Sequence, residues 1–129
     1  MGKFDWFWKA MGSTTERNNK KSKAVVADAH GLIEELSLLD DASLASAVAS
    51  TVRDGAIADK PRFLAGLSVA SQRTLGMTPF EVQNQAVLRL LEGDVIQMAT
   101  GEGKTLVGAM AATGFALQGK RVHLITVNN

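Results

Sequence analysis

A chain of 129 residues holds one domain at most. It has no cysteine, so neither a disulfide nor a cysteine–metal site is open to it, which fits a reducing cytoplasm; no apolar run is long enough to span a membrane; and the start does not read as a secretory signal, because Asp5 interrupts it. The net charge of +1 leaves no footprint for nucleic acid, but it is uneven: Lys3, Lys9, Arg17, Lys20, Lys21 and Lys23 stand against Asp5 and Glu16 in residues 1–23.

In chain order, Phe4, Phe7, Trp8 and Met11 fall at i, i+3, i+4 and i+7, one face of a short helix. With the basic residues behind it, that face suits an anionic membrane surface or a partner groove, or else packs on further domains of its own protein. Residues 12–22 are polar and read as a linker, so 1–22 form an arm and 23–129 the body of a domain. A helix is expected over 23–39, with Ala24, Ala27, Leu32, Leu36 and Leu39 as its apolar positions; His30 on it has no second ligand at metal spacing. Asp41 is placed to cap a helix over 42–53, ended by Gly55, and Asp59 to cap one over 60–73 that presents Phe63, Leu64, Leu67 and Ala70. Thr78 and Glu81 have capping-box spacing, and Pro79 suits a first helical position, so a helix is expected over 79–91 with Val82, Ala86, Val87, Leu90 and Leu91 on one side. A strand over 94–98, a glycine turn, a helix over 104–118 and a strand over 121–127 follow, with Gly119 as the helix stop.

Strand, glycine turn and helix give the run Met98-Ala99-Thr100-Gly101-Glu102-Gly103-Lys104-Thr105 the context of a phosphate-binding loop. Gly101 and Gly103 let the backbone turn its N–H groups toward phosphate oxygens, and the helix start adds partial positive charge. Lys104 can reach the β- and γ-phosphates, and the Thr105 hydroxyl can ligate a bridging Mg²⁺. Upstream, Gln83 near a helix start offers an amide that both donates and accepts, as an adenine edge requires, with Met77 and Phe80 able to pack on the base. The other reading leaves Gln83 and Gln85 as solvated helix surface.

The two motifs at this separation resemble the SecA family, ATPase motors of bacterial preprotein translocation. Gly76-Met77…Phe80-Glu81-Val82-Gln83 resembles its adenine-contacting motif, Met98–Thr105 its phosphate loop, and Gly119–Asn128 its next strand. Met98 stands where the strict phosphate-loop pattern has a glycine, a departure frequent among helicase-like motors. Glu102 between the glycines is characteristic of the family, and the run from Gly93 through Leu106, with Ala99 in a slot often held by a basic residue, looks most like the accessory second SecA of high-GC Gram-positive bacteria. The resemblance implies an α/β fold: N-terminal helices leading into the first β-α-β unit of a RecA-like P-loop motor domain, truncated. It implies an ATP and Mg²⁺ site built from Met77, Phe80, Gln83, Thr100, Gly101, Glu102, Gly103, Lys104 and Thr105, with Lys104 and Thr105 nearest the chemistry. Implied partners are a SecY-type channel, preproteins and, through residues 1–23, anionic lipid, with no nucleic acid expected; the implied location is the cytoplasmic face of the membrane. The chain reads as an N-terminal fragment that lacks the acidic Mg²⁺ box and the arginine fingers, so alone it is not expected to turn over ATP. The alternatives are a fragment of a superfamily 2 nucleic-acid helicase and a non-enzymatic docking module.

Overall fold

The computed structural model describes residues 2–96 and 103–125, with side chains described from residue 19 onward. The architecture is α/β, with five helices and one short antiparallel hairpin between the second and third of them among the described residues. Helix α1 (Gly2–Ser37) is 36 residues long and runs without a break through 12–22. The linker expected there is therefore helical backbone. Polar composition marks a solvated stretch, but nothing in Gly12–Ser22 carries a proline to stop a helix already begun.

The buried stripe of α1 also differs from expectation. Ala24 and Ala27 are exposed, while Ser22, Val26, Ala29 and Leu36 face inward, with Leu32, Ile33 and Leu39 at the margin. The larger Val26 and Leu36 choose the face, since burial scales with apolar area and alanine contributes little. Asp40, rather than Asp41, caps α2 (Asp41–Ala49), its carboxylate accepting from the Ser43 N–H at 2.7 Å. That hydrogen bond and the Ser43 hydroxyl hold the Asp40 carboxyl below the ordinary aspartate range, with a smaller contribution from Arg73.

The expected helix over 42–53 stops at Ala49, and a hairpin takes its place: β1 (Val52–Arg53) pairs with β2 (Ala56–Ile57), in the register Val52↔Ile57 and Arg53↔Ala56. Asp54 (φ 54°) and Gly55 (φ 75°) both turn left-handed, as a two-residue hairpin turn demands. Asp59 caps α3 (Lys60–Leu75) as expected, accepting from the Arg62 N–H at 3.1 Å, and Gly76 at φ 68° ends it. Arg73 of α3 donates to Asp41 Oδ1 (2.9 Å) and to the Ser37 and Leu39 carbonyls, which pins the α1–α2 turn.

Helix α4 (Glu81–Leu91) begins two residues later than the sequence suggests. Phe80 is its N-cap, Pro79 lies before the helix, and the Thr78 hydroxyl donates to Gln72 Oε1 (2.7 Å) instead of capping. Helix α5 (Lys104–Leu117) opens on Gly103 and is followed by Gly119 at φ 82°. The core lies where α3 meets α1 and α4 meets α5, around Leu36, Phe63, Leu64, Val87 and Val107. Residues 94–96 and 120–125 are irregular rather than the expected strands, and the rest of both expected strands lies outside the described residues. The parallel pair is thus not formed among the described residues. A parallel pair needs both faces covered, and Val95, Leu124 and Ile125 stand 99%, 61% and 86% exposed.

Candidate nucleotide site

The segment after α3 is bound back onto that helix. Ser71 Oγ donates to the Met77 carbonyl (2.7 Å), and Thr78 is tied to Gln72. This sets Met77 and Phe80 at the mouth of a cleft, both well exposed. Gln83 follows at the third position of α4, where its Oε1 accepts from the Phe80 N–H at 2.8 Å. That is one half of a capping box, supplied by glutamine with no hydroxyl partner.

Gln83 is 5% exposed, which removes the solvated-surface reading for it; Gln85 is half-buried. The Gln83 Nε2 donates to the Gly103 carbonyl at 3.5 Å. Gly103 sits at φ 75°, ψ 44°, and a Cβ there would come within 2.0 Å of Gln83 Nε2. Only glycine meets both demands, the left-handed backbone and the close approach of the amide.

Beyond Gly103 the first turn of α5 carries Lys104 and Thr105, both exposed, and its N–H groups point away from the helix body. The helix dipole concentrates positive potential there. Met77, Thr78, Phe80, Gln83, Gly103, Thr105 and Leu106 together line a cleft of about 360 Å³. Lys104 stands exposed between two lining residues. Six of the nine site residues expected from the sequence are described, and these are brought to one end of α4 and α5. Thr100, Gly101 and Glu102 lie outside the described residues. Thr78, expected from its spacing as a capping residue, and Leu106 also line the cleft, and no local pattern marks either as lining.

The chain matches the family model of the SecA DEAD-like domain over residues 7–129. It is 59% identical over its whole length to protein translocase subunit SecA 2 of Corynebacterium glutamicum strain R, of which it covers 17%. It is 56% identical to the SecA 2 of Corynebacterium jeikeium over 98% of this chain and 18% of that protein. To the SecA 2 of Mycolicibacterium smegmatis it is 46% identical, over 95% of this chain and 16% of the relative. The chain thus spans about a sixth of the length of these relatives. Its helices flanking a small hairpin accord with part of a P-loop-type domain of that kind. The chain belongs to the SecA protein-translocase family.

Proposed function

We propose that this chain is the N-terminal portion of an ATP-driven motor that moves preproteins through a SecY-type membrane channel, and that the cleft at Gln83 and Gly103 binds ATP with Mg²⁺. The observation that carries this reading is the convergence of two sequence motifs, twenty residues apart, in one cleft: Met77, Phe80 and Gln83 from one, Gly103 and Thr105 from the other.

The residues fit the group. Gln83 carries an amide donor beside an acceptor, the complement of an adenine edge, in a cleft that Met77 and Phe80 also line, both exposed and able to cover the ring. The start of α5 offers N–H groups and the positive end of a helix to the phosphates. Lys104 would neutralise β/γ-phosphate charge and Thr105 would hold the cation; Thr100, Gly101 and Glu102, expected from the sequence to complete the cradle, lie outside the described residues. Glu102, read from the sequence as part of the phosphate loop, is not expected to act as a general base. When bound, Mg²⁺-ATP supplies the phosphoryl group whose transfer drives the motor. In this reading residues 1–22 form an arm and 23–129 the first part of the nucleotide-binding domain. The arm's aromatic and basic residues dock on anionic lipid and the channel, and the protein works at the cytoplasmic face of the membrane. No helix of the described residues is long and apolar enough to cross a membrane.

In a full-length protein carrying this sequence, Lys104→Ala is expected to abolish ATP binding in equilibrium dialysis and hydrolysis with it. Retained hydrolysis in that variant refutes the assignment.

A further inference from the structure

Between α3 and α4 the chain runs as a strap from Gly76 to Phe80, and three hydrogen bonds fix where it lies. The Ser71 hydroxyl donates to the Met77 carbonyl at 2.7 Å, the Thr78 hydroxyl to Gln72 Oε1 at 2.7 Å, and the Phe80 N–H to Gln83 Oε1 at 2.8 Å. Pro79 is buried, whereas Met77, Thr78 and Phe80 are exposed. Proline fixes its own φ and keeps the residue before it extended, so Thr78-Pro79 is stiff and the strap shifts as one piece. Thr78 lines the cleft and also a second hollow, of about 170 Å³, shared with Ile33 of α1 and with Ser68 and Gln72 of α3. The strap thus has open space on two sides, and its tethers set its distance from the cleft.

Ser71 departs from the habit of its own helix. Three residues of α3 carry a hydroxyl. Ser68 and Thr74 each donate to the carbonyl four residues back, Leu64 at 2.9 Å and Ala70 at 2.8 Å, the usual recourse inside a helix. Ser71, only 6% exposed, reaches six residues forward instead. The helix end does not require this bond. Gly76 at φ 68° supplies the stop, and its N–H donates to the Gln72 carbonyl at 3.0 Å. What Ser71 holds is the backbone of Met77, the first apolar residue at the cleft.

We propose that Ser71 is a determinant of base recognition: from outside the cleft it sets the Met77–Phe80 strap at the distance from which Met77 and Phe80 close on adenine, with Gln72 as a second tether through Thr78. Ser71 and Gln72 are positioning residues, and neither lines the cleft. A strap placed in advance spares binding the cost of ordering it. The proposal rests on the nucleotide-binding reading above.

The test uses a full-length protein carrying this sequence, with Ser71→Ala, Gln72→Met and, in parallel, Lys104→Ala. Equilibrium dialysis with labelled ATP gives the affinity, displacement by inorganic tripolyphosphate reads the phosphate end of the site by itself, and the thermal midpoint is followed alongside. Ser71→Ala is expected to weaken ATP binding about fivefold, the scale of one partly buried hydrogen bond, and to leave the tripolyphosphate constant within about twofold. Gln72→Met is expected to weaken ATP about twofold, because its bond to Thr78 is open to water. Alanine is the best helix former, so Ser71→Ala keeps α3 intact, and Gln72→Met at an exposed position gives the same comparison where folded yield falls. Unchanged ATP affinity in Ser71→Ala while Lys104→Ala loses binding overturns the proposal alone. So does an equal loss of ATP and tripolyphosphate, and so does a lowered thermal midpoint with unaltered affinity. Parental affinity in Gln72→Met removes the second tether. Normal binding by Lys104→Ala sinks the nucleotide reading, and the role of Ser71 with it.

Discussion

Gln83 takes part in two constraints at once, receiving the Phe80 N–H and meeting the Gly103 carbonyl. Its amide is thereby oriented rather than left to sample rotamers, which is what base discrimination requires: a site built to bond a polar edge rejects a ligand that leaves it unpaired. Gln83→Ala in the full-length protein is expected to reduce the preference for ATP over GTP by about tenfold or more, on the scale of a lost hydrogen bond in a desolvated site. Unchanged discrimination in competition binding would remove the amide from adenine recognition. Asp40 gives a second prediction at this scale. Its carboxyl is depressed by the Ser43 N–H and hydroxyl, so its contribution to stability is present above the ordinary aspartate range and is lost as pH falls through the lower folded value. Asp40→Asn keeps a capping oxygen but cannot ionise. Thermal midpoints against pH should show the acid limb of the curve flattened in this variant, and an acid limb identical to the parent's would exclude the cap as its source.

At the scale of elements, the helices are set by close approaches as much as by caps. A Cβ built on Gly66 of α3 would fall 2.3 Å from Val48 Cγ2 of α2, and valine is stiff about its first torsion. Gly66→Ala gains about 0.5–1 kcal/mol in helix propensity. It forces apart two packed helices, an overpacking cost of about 1–3 kcal/mol. The net expectation is destabilisation, read as a lower denaturant midpoint with an unchanged slope; a raised midpoint would mean that α2 yields freely. A Cβ built on Gly114 of α5 would likewise fall 2.6 Å from Leu91 Cδ2 and 3.0 Å from Phe63 Cζ, so its absence lets α4 and α5 close on one another. Nothing local in the sequence distinguishes Gly66 or Gly114 from an ordinary weak position in a helix. The Asp54-Gly55 hairpin, by contrast, carries its turn signal openly in two adjacent residues suited to left-handed backbone.

For the whole molecule, the decisive feature is apolar surface without a cover. Val95, Leu124 and Ile125 are 99%, 61% and 86% exposed, and Val122 is partly so. These residues belong to the two segments expected to pair as parallel strands, and a sheet there needs neighbours on its edges and faces. The 129-residue chain taken alone is expected to self-associate or to melt without cooperativity, as seen in sedimentation and calorimetry. A monodisperse monomer with one sharp calorimetric transition would show that the described helices suffice.

Local chemistry by itself determined the caps at Asp59 and Gly119, the helices over α3, α4 and α5 to within a few residues, and the two motifs of the cleft. Each of these depends on neighbours a few positions apart. It could not decide which face of α1 is buried, because the backbone admits any stripe and only the bulk of Val26 and Leu36 against α3 selects one. Nor could it decide the burial of Gln83, the contact of that amide with Gly103, or the return of Met77 onto Ser71. Those follow from how α4 lies against α5 and how the chain turns at Gly76, and such approaches exist only once separate elements have packed.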